Sequence, residues 1–346
     1  MFGRFSSFLL LWVCLTQAVS AASQVGFRET TLGETSPRPL HVSIWYPTQQ
    51  TQPVTLVGGN PAFVGLEVIR NASPQASSHP LVVLSHGYRG NWRNLNWLAG
   101  YLAARGYIVA APDHPGTTTM DQSPEKAAQL WLRPQDISRV IDTLLASAEL
   151  AGKVDIQRIA AIGHSLGGWT VAELAGARFN TAQFVKDCQL VPQKRICSLM
   201  AEMGINRSPQ FTQQLDADLR DSRVKAVVSL DLGFARGFTK SSLAAIKVPF
   251  MVLSAGTNIA ELPAARESAY LAAGLPASSS RYLKLDDASH FSFMQQCKAG
   301  GEALIEESSP GDGIICHDGA GRSRQAIHQQ VAQLIAEFLA QALPTH

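Results

Sequence analysis

Charged residues are scarce in this chain, and their signs are nearly balanced. Only 16% of the 346 residues are Asp, Glu, Lys or Arg, and the formal net charge is +2. No stretch of the chain concentrates Lys and Arg. A protein that binds nucleic acid usually carries a basic patch, so we expect no nucleic-acid partner. With 46% hydrophobic residues, the composition indicates a globular protein with a sizeable core.

Long apolar runs are also lacking. One apolar stretch, from Phe8 to Val19, is too short to span a bilayer comfortably, and no second one follows it. Arg4 precedes this stretch and the small residues 20–23 follow it, a pattern typical of a signal peptide. We predict a signal peptide at residues 1–22 and a mature protein that is exported, periplasmic or secreted, without a stable membrane anchor.

Cysteine is rare, and the C-x-x-C spacing typical of tetrahedral metal sites is absent. Removal of the signal peptide would take away Cys14 and leave four cysteines, an even number that favours disulfides in an exported chain. The simplest of the three connectivities pairs Cys188 with Cys197 and Cys297 with Cys316. Four free thiols are the alternative. We expect no metal and no organic cofactor.

The stretch from Ile159 to Ala172 predicts the centre of the functional site. An apolar β-like run ends at Gly163, and small, helix-compatible residues follow Ser165. Gly163-x-Ser165-x-Gly167 therefore has the strand-turn-helix context of a nucleophile elbow, in which the glycines leave room for a sharp turn. Ser165 is the candidate nucleophile. An ordinary glycine-rich turn is the alternative for so short a motif.

Short apolar runs alternate with helical patterns over much of the chain. Buried or half-buried strands are predicted at 40–47, 80–87, 107–112, 224–231, 248–254 and 281–285. Helical spacing predicts helices at 92–105, 137–145 and 327–339. This alternation predicts an α/β fold, with a mostly parallel central sheet flanked by helices and the elbow at the carboxyl end of a central strand.

Three stretches do not follow this alternation. Residues 48–79 are polar and contain proline and glycine, and we assign no element to them. Residues from about 176 to 222 mix polar and apolar sequence, which we interpret as a helical insertion over the site. Residues from about 297 to 316 form the second predicted disulfide-closed loop. We assign all of 23–346 to one catalytic domain.

A serine hydroxyl needs a base to take its proton, and that base needs an orienting acid. His290 lies just after a predicted strand and downstream of the acid candidates, as the chain order Ser, acid, His requires. Asp231 stands at the end of its predicted strand, where a carboxylate is held rigidly, and is the candidate acid. Glu261, on the loop after the next strand, is the alternative.

Other histidines and aspartates are weaker candidates. His86, His114 and His164 precede or adjoin the nucleophile and so fit the chain order badly. We expect His86 and His164 to form hydrogen bonds within the turns that shape the site. We interpret Asp286 and Asp287 as solvated turn residues.

A serine nucleophile also needs backbone donors for the oxyanion, each worth roughly 3 to 4 kcal/mol of transition-state stabilisation. The N–H of Leu166, directly after the nucleophile, is the first candidate. The second is the N–H of Tyr88, on the loop after an earlier central strand. Gly87 would let that backbone turn inward, although a plain glycine turn would contain the same residue.

The chain resembles a known superfamily in several of these segments. They are Val42 to Pro47, Pro80 to Tyr88, Ala110 to Gly116 and Gly163 to Gly168, with shorter matches at Ser229 to Asp231 and Ala288 to Phe291. In these segments the chain is similar to the predicted dienelactone hydrolases and the platelet-activating factor acetylhydrolases of the α/β-hydrolase superfamily. The resemblance implies Asp231 as the acid and Tyr88 as the second oxyanion donor. Ser165 stands where the bacterial dienelactone hydrolase has cysteine.

Together these observations lead us to expect an exported serine esterase that cleaves small or short-chain carboxylic esters through an acyl-enzyme intermediate. Its expected partner is a small-molecule ester, and the sequence does not indicate an oligomeric state. An amidase or peptidase and a lipase-like hydrolase are alternatives, because the same triad serves them. A catalytically idle binding module on the same scaffold is the alternative from another class.

Overall fold

The computed structural model describes residues 24–191 and 195–345. The signal peptide predicted at 1–22 lies outside the described residues. Within these ranges, each helix is too short or too polar to cross a lipid bilayer.

Ten strands and twelve α-helices are present in the part of the chain that is described. The strands are β1 (Gln24–Leu32), β2 (Leu40–Thr48), β3 (Thr55–Val57), β4 (Leu66–Arg70), β5 (Ser78–Ser85), β6 (Ile108–Pro112), β7 (Lys153–His164), β8 (Ala226–Leu230), β9 (Phe250–Thr257) and β10 (Ser280–Ser289). The helices are α1 (Asn96–Ala103), α2 (Pro124–Ala127), α3 (Leu132–Ala146), α4 (Ala148–Ala151), α5 (Leu166–Ala175), α6 (Thr181–Leu190), α7 (Arg195–Glu202), α8 (Pro209–Leu215), α9 (Lys240–Ala244), α10 (Ser268–Gly274), α11 (Gly301–Ser308) and α12 (Arg324–Ala342). Short 3-10 helices lie at Trp92–Leu95, Ala235–Gly237, His290–Phe293 and Asp312–Cys316.

The strands form one sheet in the order β10-β9-β8-β7-β5-β6-β2-β1-β4-β3. The six strands from β10 to β6 run parallel to one another, and β2 is antiparallel to both β6 and β1. The predicted mostly parallel sheet with flanking helices is confirmed, and each of the six predicted strands is present. The structure adds β1, β3 and β4, which lie together at one edge. It also adds helix α2, in a stretch for which no element is predicted.

Two hydrophobic cores cover the two faces of the sheet. Helices α3 and α5 pack on one face through Ile137, Leu166 and Trp169. Helices α1 and α12 pack on the other face through Leu98 and Val331. Strands β5 and β7 lie between these layers, which explains why their sequences are continuous apolar runs. Their carboxyl ends meet at the middle of one sheet edge, where parallel sheets place ligands.

The insertion predicted at about 176–222 leaves and rejoins the domain at one place. The N–H of Asp221 donates to the Leu174 carbonyl across 3.1 Å, so the two ends of the segment are hydrogen-bonded to each other. Helices α6, α7 and α8 lie between these ends. The predicted disulfide between Cys188 and Cys197, which joins α6 to α7, is confirmed.

The second predicted disulfide, between Cys297 and Cys316, is also confirmed. It closes a loop that contains α11 and the 3-10 helix that ends at Cys316. Phe63 pairs with Cys297 in an isolated β-bridge, and the N–H of Val64 donates to the Gln296 carbonyl across 2.9 Å. The unassigned region before β5 thus packs against this loop.

Glu173 is a buried carboxyl group in the middle of α5. Burial raises the pKa of Glu173 well above its usual value of 4.5, and the backbone N–H of Phe179 acts in the opposite direction. Below pH 4.5 the folded and unfolded chains both hold the proton. Above that pH the unfolded chain releases it while the folded protein keeps it, so the free energy of unfolding falls as the pH rises.

We therefore expect Glu173→Gln to raise the free energy of unfolding at pH 7 by about 1 kcal/mol or more. At about pH 4 the variant and the original protein should be equally stable. Urea unfolding at the two pH values measures this difference, with Glu149→Gln on the exposed surface as the matched control. A pH-independent effect of Glu173→Gln would contradict the assignment.

Candidate active site

Ser165 lies at the turn between β7 and α5. Its backbone has a φ of 57° and a ψ of −120°, a conformation that residues other than glycine rarely adopt. Its N–H donates to the Leu230 carbonyl across 3.0 Å, which ties the turn to β8. The residue is half-buried. The sharp strand-turn-helix geometry expected of a nucleophile elbow is thus present at Ser165.

The two glycines of the elbow are required by close packing of backbone on backbone. A Cβ on Gly163 would overlap the Gly167 carbonyl, and a Cβ on Gly167 would overlap the Ser85 carbonyl at the end of β5. The first turn of α5 therefore lies directly against the neighbouring strand. This contact places Ser165 beside the loop that follows β5.

Gly167→Ala is expected to lower the free energy of unfolding by about 3 kcal/mol or more, because its Cβ meets backbone that cannot move independently of the sheet. Gly300→Ala is the matched control. That glycine has a φ of +75° but open space around its Cβ position, so only conformational strain of about 1 kcal/mol applies. Chemical unfolding measures both, and equal losses would contradict the packing argument.

His290 and Asp231 come together as the predicted base and acid. His290 begins a 3-10 helix directly after β10, and its Nδ1 donates to Asp231 Oδ2 across 2.7 Å. The other carboxylate oxygen of Asp231 accepts the N–H of Ala255 at 2.8 Å. Both side chains are buried, at 9% and 4% exposure. With its proton on Nδ1, the imidazole keeps Nε2 free as an acceptor.

The alternative acids lie elsewhere. Glu261 is exposed on the loop after β9, and the His290 Nδ1 bond goes to Asp231 instead. Asp286 and Asp287 lie within β10, so the interpretation of both as turn residues is wrong. Asp286 is 82% exposed, but Asp287 forms a bidentate pair with Arg322 at 2.6 and 2.7 Å.

His164 links the elbow to the base. Its Nε2 donates to the His290 carbonyl across 2.9 Å, and the two rings lie 4.6 Å apart. Burial, followed by the nearby His290, holds the pKa of His164 well below its usual range, so the side chain is neutral. The residue before the candidate nucleophile thus holds the backbone of the candidate base, as expected of a hydrogen bond that shapes the site.

His86 orients the peptide that carries the predicted donor Tyr88. His86 Nε2 accepts the backbone N–H of His114 at 3.0 Å, so the proton is on Nδ1, which donates to the Gly87 carbonyl across 2.7 Å. The Gly87 carbonyl and the Tyr88 N–H belong to one planar trans peptide and point in opposite directions. Gly87 itself packs against Ser165. The bond from His86 therefore directs the Tyr88 N–H.

A second Ser-His-Asp line lies beneath this loop, and sequence reasoning missed it. Ser85 Oγ lies 2.9 Å from His114 Nε2, and His114 Nδ1 lies 3.0 Å from Asp136 Oδ2. Each of these residues is at most 1% exposed, so no substrate reaches Ser85. Burial lowers the pKa of His114 to about 3, and Arg38 pairs with Asp136 at 2.7 Å. This line is structural.

Arg133 connects the structural line to the oxyanion loop. Its buried guanidinium donates to Ser85 Oγ at 3.2 Å, to Thr170 Oγ1 at 3.0 Å, and to the His86 carbonyl and Thr117 Oγ1. The guanidinium thus holds the backbone one residue before Gly87. It has no signal in the sequence beyond a charged residue among apolar helix positions.

The segment after the second disulfide holds the loop of the candidate base. Ser292 Oγ donates to Asp318 Oδ1 at 2.5 Å, and the Ser289 hydroxyl donates to the His317 carbonyl at 2.7 Å. Arg324 pairs with Asp318 at 3.0 Å. These bonds fix the 3-10 helix that begins at His290.

Leu166, the other predicted oxyanion donor, is the first residue of α5. Its N–H belongs to the first turn, whose donors have no acceptor within a helix, and the helix dipole favours negative charge there. Within residues 24–191 and 195–345, no group of three or more His, Cys, Asp or Glu side chains is arranged to hold a metal ion.

One solved structure resembles the chain over nearly its whole length. It is a ferulic acid esterase from Streptomyces cinnamoneus, with a TM-score of 0.63 and 20% sequence identity over 94% of this chain and 91% of the other. The chain therefore has the α/β-hydrolase fold. This confirms the fold predicted from the sequence. The narrower resemblance to dienelactone hydrolases and acetylhydrolases stays a prediction.

Sequence comparisons match about a third of the chain. A family model described as PETase, PET hydrolase-like, matches residues 71–184. Cutinase est1 of Thermobifida alba is 32% identical over 104 residues, 30% of this chain and 32% of that protein. A bis(hydroxyethyl) terephthalate hydrolase of Streptomyces coelicolor is 28% identical over 116 residues, 34% of each chain. The chain thus spans about a third of the length of these relatives.

Proposed function

We propose that this α/β-hydrolase is an exported serine esterase that cleaves small or short-chain carboxylic esters through an acyl-enzyme intermediate. Ser165 is the nucleophile, His290 the general base and Asp231 the acid that orients it. The N–H groups of Tyr88 and Leu166 form the oxyanion hole. The observation that carries this proposal is the 2.7 Å bond from His290 Nδ1 to Asp231 Oδ2, formed beside the strained Ser165 elbow.

Acylation begins with attack of Ser165 Oγ on the ester carbonyl carbon. His290 Nε2 takes the hydroxyl proton, and Asp231 stabilises the imidazolium that results. The carbonyl oxygen becomes negative and accepts hydrogen bonds from the backbone N–H groups of Tyr88 and Leu166. His290 then gives its proton to the leaving alcohol as the carbon–oxygen bond breaks, which leaves the acyl group on Ser165.

Deacylation repeats these steps with water. His290 takes a proton from the water molecule, the hydroxide attacks the acyl carbon, and the proton then returns to Ser165 Oγ as the carboxylic acid leaves. The neutral state of His164 and His86 keeps two further positive charges away from the imidazolium, since burial holds the pKa of each well below its usual range.

The relatives favour ester chemistry over the alternatives. A cutinase, a bis(hydroxyethyl) terephthalate hydrolase and a ferulic acid esterase are all named for ester substrates. Export is supported by the two disulfides, which persist in oxidising compartments. Because these relatives are named for esters, we propose ester hydrolysis rather than peptide cleavage.

The test uses a fluorophosphonate probe on the full-length protein. The probe should form a covalent adduct on the peptide that contains Ser165, and prior incubation with p-nitrophenyl acetate should slow this labelling. Ser241→Ala, a change at an exposed serine, should label like the original protein. An unlabelled Ser165 in a folded protein would contradict the proposal and favour an idle binding module.

Substrate series separate the remaining alternatives. Turnover of p-nitrophenyl esters that falls as the acyl chain lengthens is expected. A preference for long chains would favour a lipase-like enzyme, and faster cleavage of anilides than of the matching esters would favour an amidase.

A further inference from the structure

Helix α7 has one apolar face and one exposed face. Ile196 is 3% exposed, and Leu199 and Met200 are half-buried against the core on the α5 side of the sheet. Ser198 and Ala201 are exposed. The apolar face is therefore turned toward the domain, at the helical spacing of an amphipathic helix.

The first turn of α7 contacts the loop that carries the candidate acid. A Cβ placed on Gly233 would lie 2.7 Å from Ile196 Cδ1. Gly233 is two residues after Asp231 and follows β8. The amino-terminal end of α7 thus rests on the carboxyl end of that strand.

The last residue of α7 reaches the oxyanion loop. Glu202 lies 3.9 Å from the Arg89 guanidinium and 2.8 Å from that of Arg195. Arg89 follows Tyr88, and its guanidinium lies 5.2 Å from the Tyr88 ring centroid. The carboxy-terminal end of α7 thus lies above the carboxyl end of β5.

These two contacts place α7 across the end of β7. Strands β8 and β5 are the two neighbours of β7, so they lie about 9 to 10 Å apart. Ile196 and Glu202 are separated by about 9 Å along a helix axis. The helix therefore bridges the two loops over Ser165, and the disulfide from Cys197 to Cys188 anchors it to α6.

We propose that α7 is a fixed roof over the acyl side of the site, and that Leu199 and Met200 limit the length of the acyl group. This inference rests on the esterase proposed above. The roof is apolar between its polar ends, so it accepts an apolar acyl chain. Because it crosses above Ser165, it admits monomeric esters of short apolar acids and excludes long chains and esters within a polymer.

The test compares kcat/KM for p-nitrophenyl hexanoate with that for p-nitrophenyl acetate. Met200→Ala and Leu199→Ala should each raise this ratio about tenfold, since one or more methylene groups gain space in an apolar pocket. Met200→Phe should lower the ratio. Ser198→Ala, on the exposed face of the same helix, should leave it unchanged.

An unchanged ratio in both alanine variants, with acetate still hydrolysed, would overturn the roof and leave the esterase intact. If the original protein neither hydrolyses esters nor reacts with the fluorophosphonate probe, both the proposed esterase and the proposed roof are overturned. If an alanine variant does not fold, Met200→Phe still tests the roof. A lower hexanoate-to-acetate ratio in this variant would support it, because a residue away from the acyl group would not alter the ratio. Hydrolysis of poly(ethylene terephthalate) film at a rate near that of bis(hydroxyethyl) terephthalate would also overturn the roof.

Discussion

Ser165→Ala is expected to lower kcat for p-nitrophenyl acetate by roughly four to six orders of magnitude. The hydroxyl oxygen forms the acyl bond, so the two-step route disappears with it. Only the oxyanion donors and the binding site remain to assist direct attack by water. The strained backbone, with its φ of 57°, is set by the packing of Gly163 and Gly167 and is not expected to change.

Steady-state kinetics on purified protein measure this loss, with thermal unfolding as the check on folding. Ser241→Ala serves as the control and should keep full activity. A Ser165→Ala variant that is folded and retains more than a hundredth of the original kcat would contradict the nucleophile assignment.

Asp231→Asn is expected to lower kcat about 10⁴-fold. The carboxylate accepts a hydrogen bond from the Nδ1–H of His290 at 2.7 Å, whereas an amide nitrogen at that position would be a second donor. His290 would then carry its proton on Nε2 and could not receive the proton of Ser165. The remaining amide oxygen can still accept the N–H of Ala255, so the loop after β8 should stay folded.

Glu261→Gln and Asp287→Asn are the matched controls for this change. Glu261 is the rival acid of the sequence analysis, and Asp287 is an aspartate of β10 paired with Arg322. Both variants should keep kcat within about twofold of the original value. A large loss in Glu261→Gln together with a small one in Asp231→Asn would reverse the assignment of the acid.

The central sheet could be predicted because its strands are buried on both faces. Continuous apolar runs such as 81–84 in β5 and 226–228 in β8 occur where helices cover both sides. Strand β3, at the sheet edge, has only three residues, and its neighbour β4 has five, of which only Val68 and Ile69 are buried. Such short edge strands depend on partners elsewhere in the chain, so no local pattern predicts them.

The candidate site could likewise be predicted only in part. The elbow, the histidine and the aspartate follow a chain order that a single sequence can display. Arg133 and Ser85 are 48 residues apart and meet only in the folded protein. The Ser85–His114–Asp136 line likewise has the residue types of a triad. Its chain order, Ser, His, Asp, differs from that of Ser165, Asp231 and His290, and its serine is fully buried whereas Ser165 is half-buried.

The hydrogen bond between the Asp221 N–H and the Leu174 carbonyl brings the two ends of the segment between them together. The segment supplies α7, while the proposed nucleophile, acid and base all come from the sheet and its adjoining turns. A segment whose ends already meet can be exchanged without separating the strands it interrupts. If the protein is the esterase proposed above, evolution or engineering can therefore change which esters it accepts while the reaction chemistry stays the same.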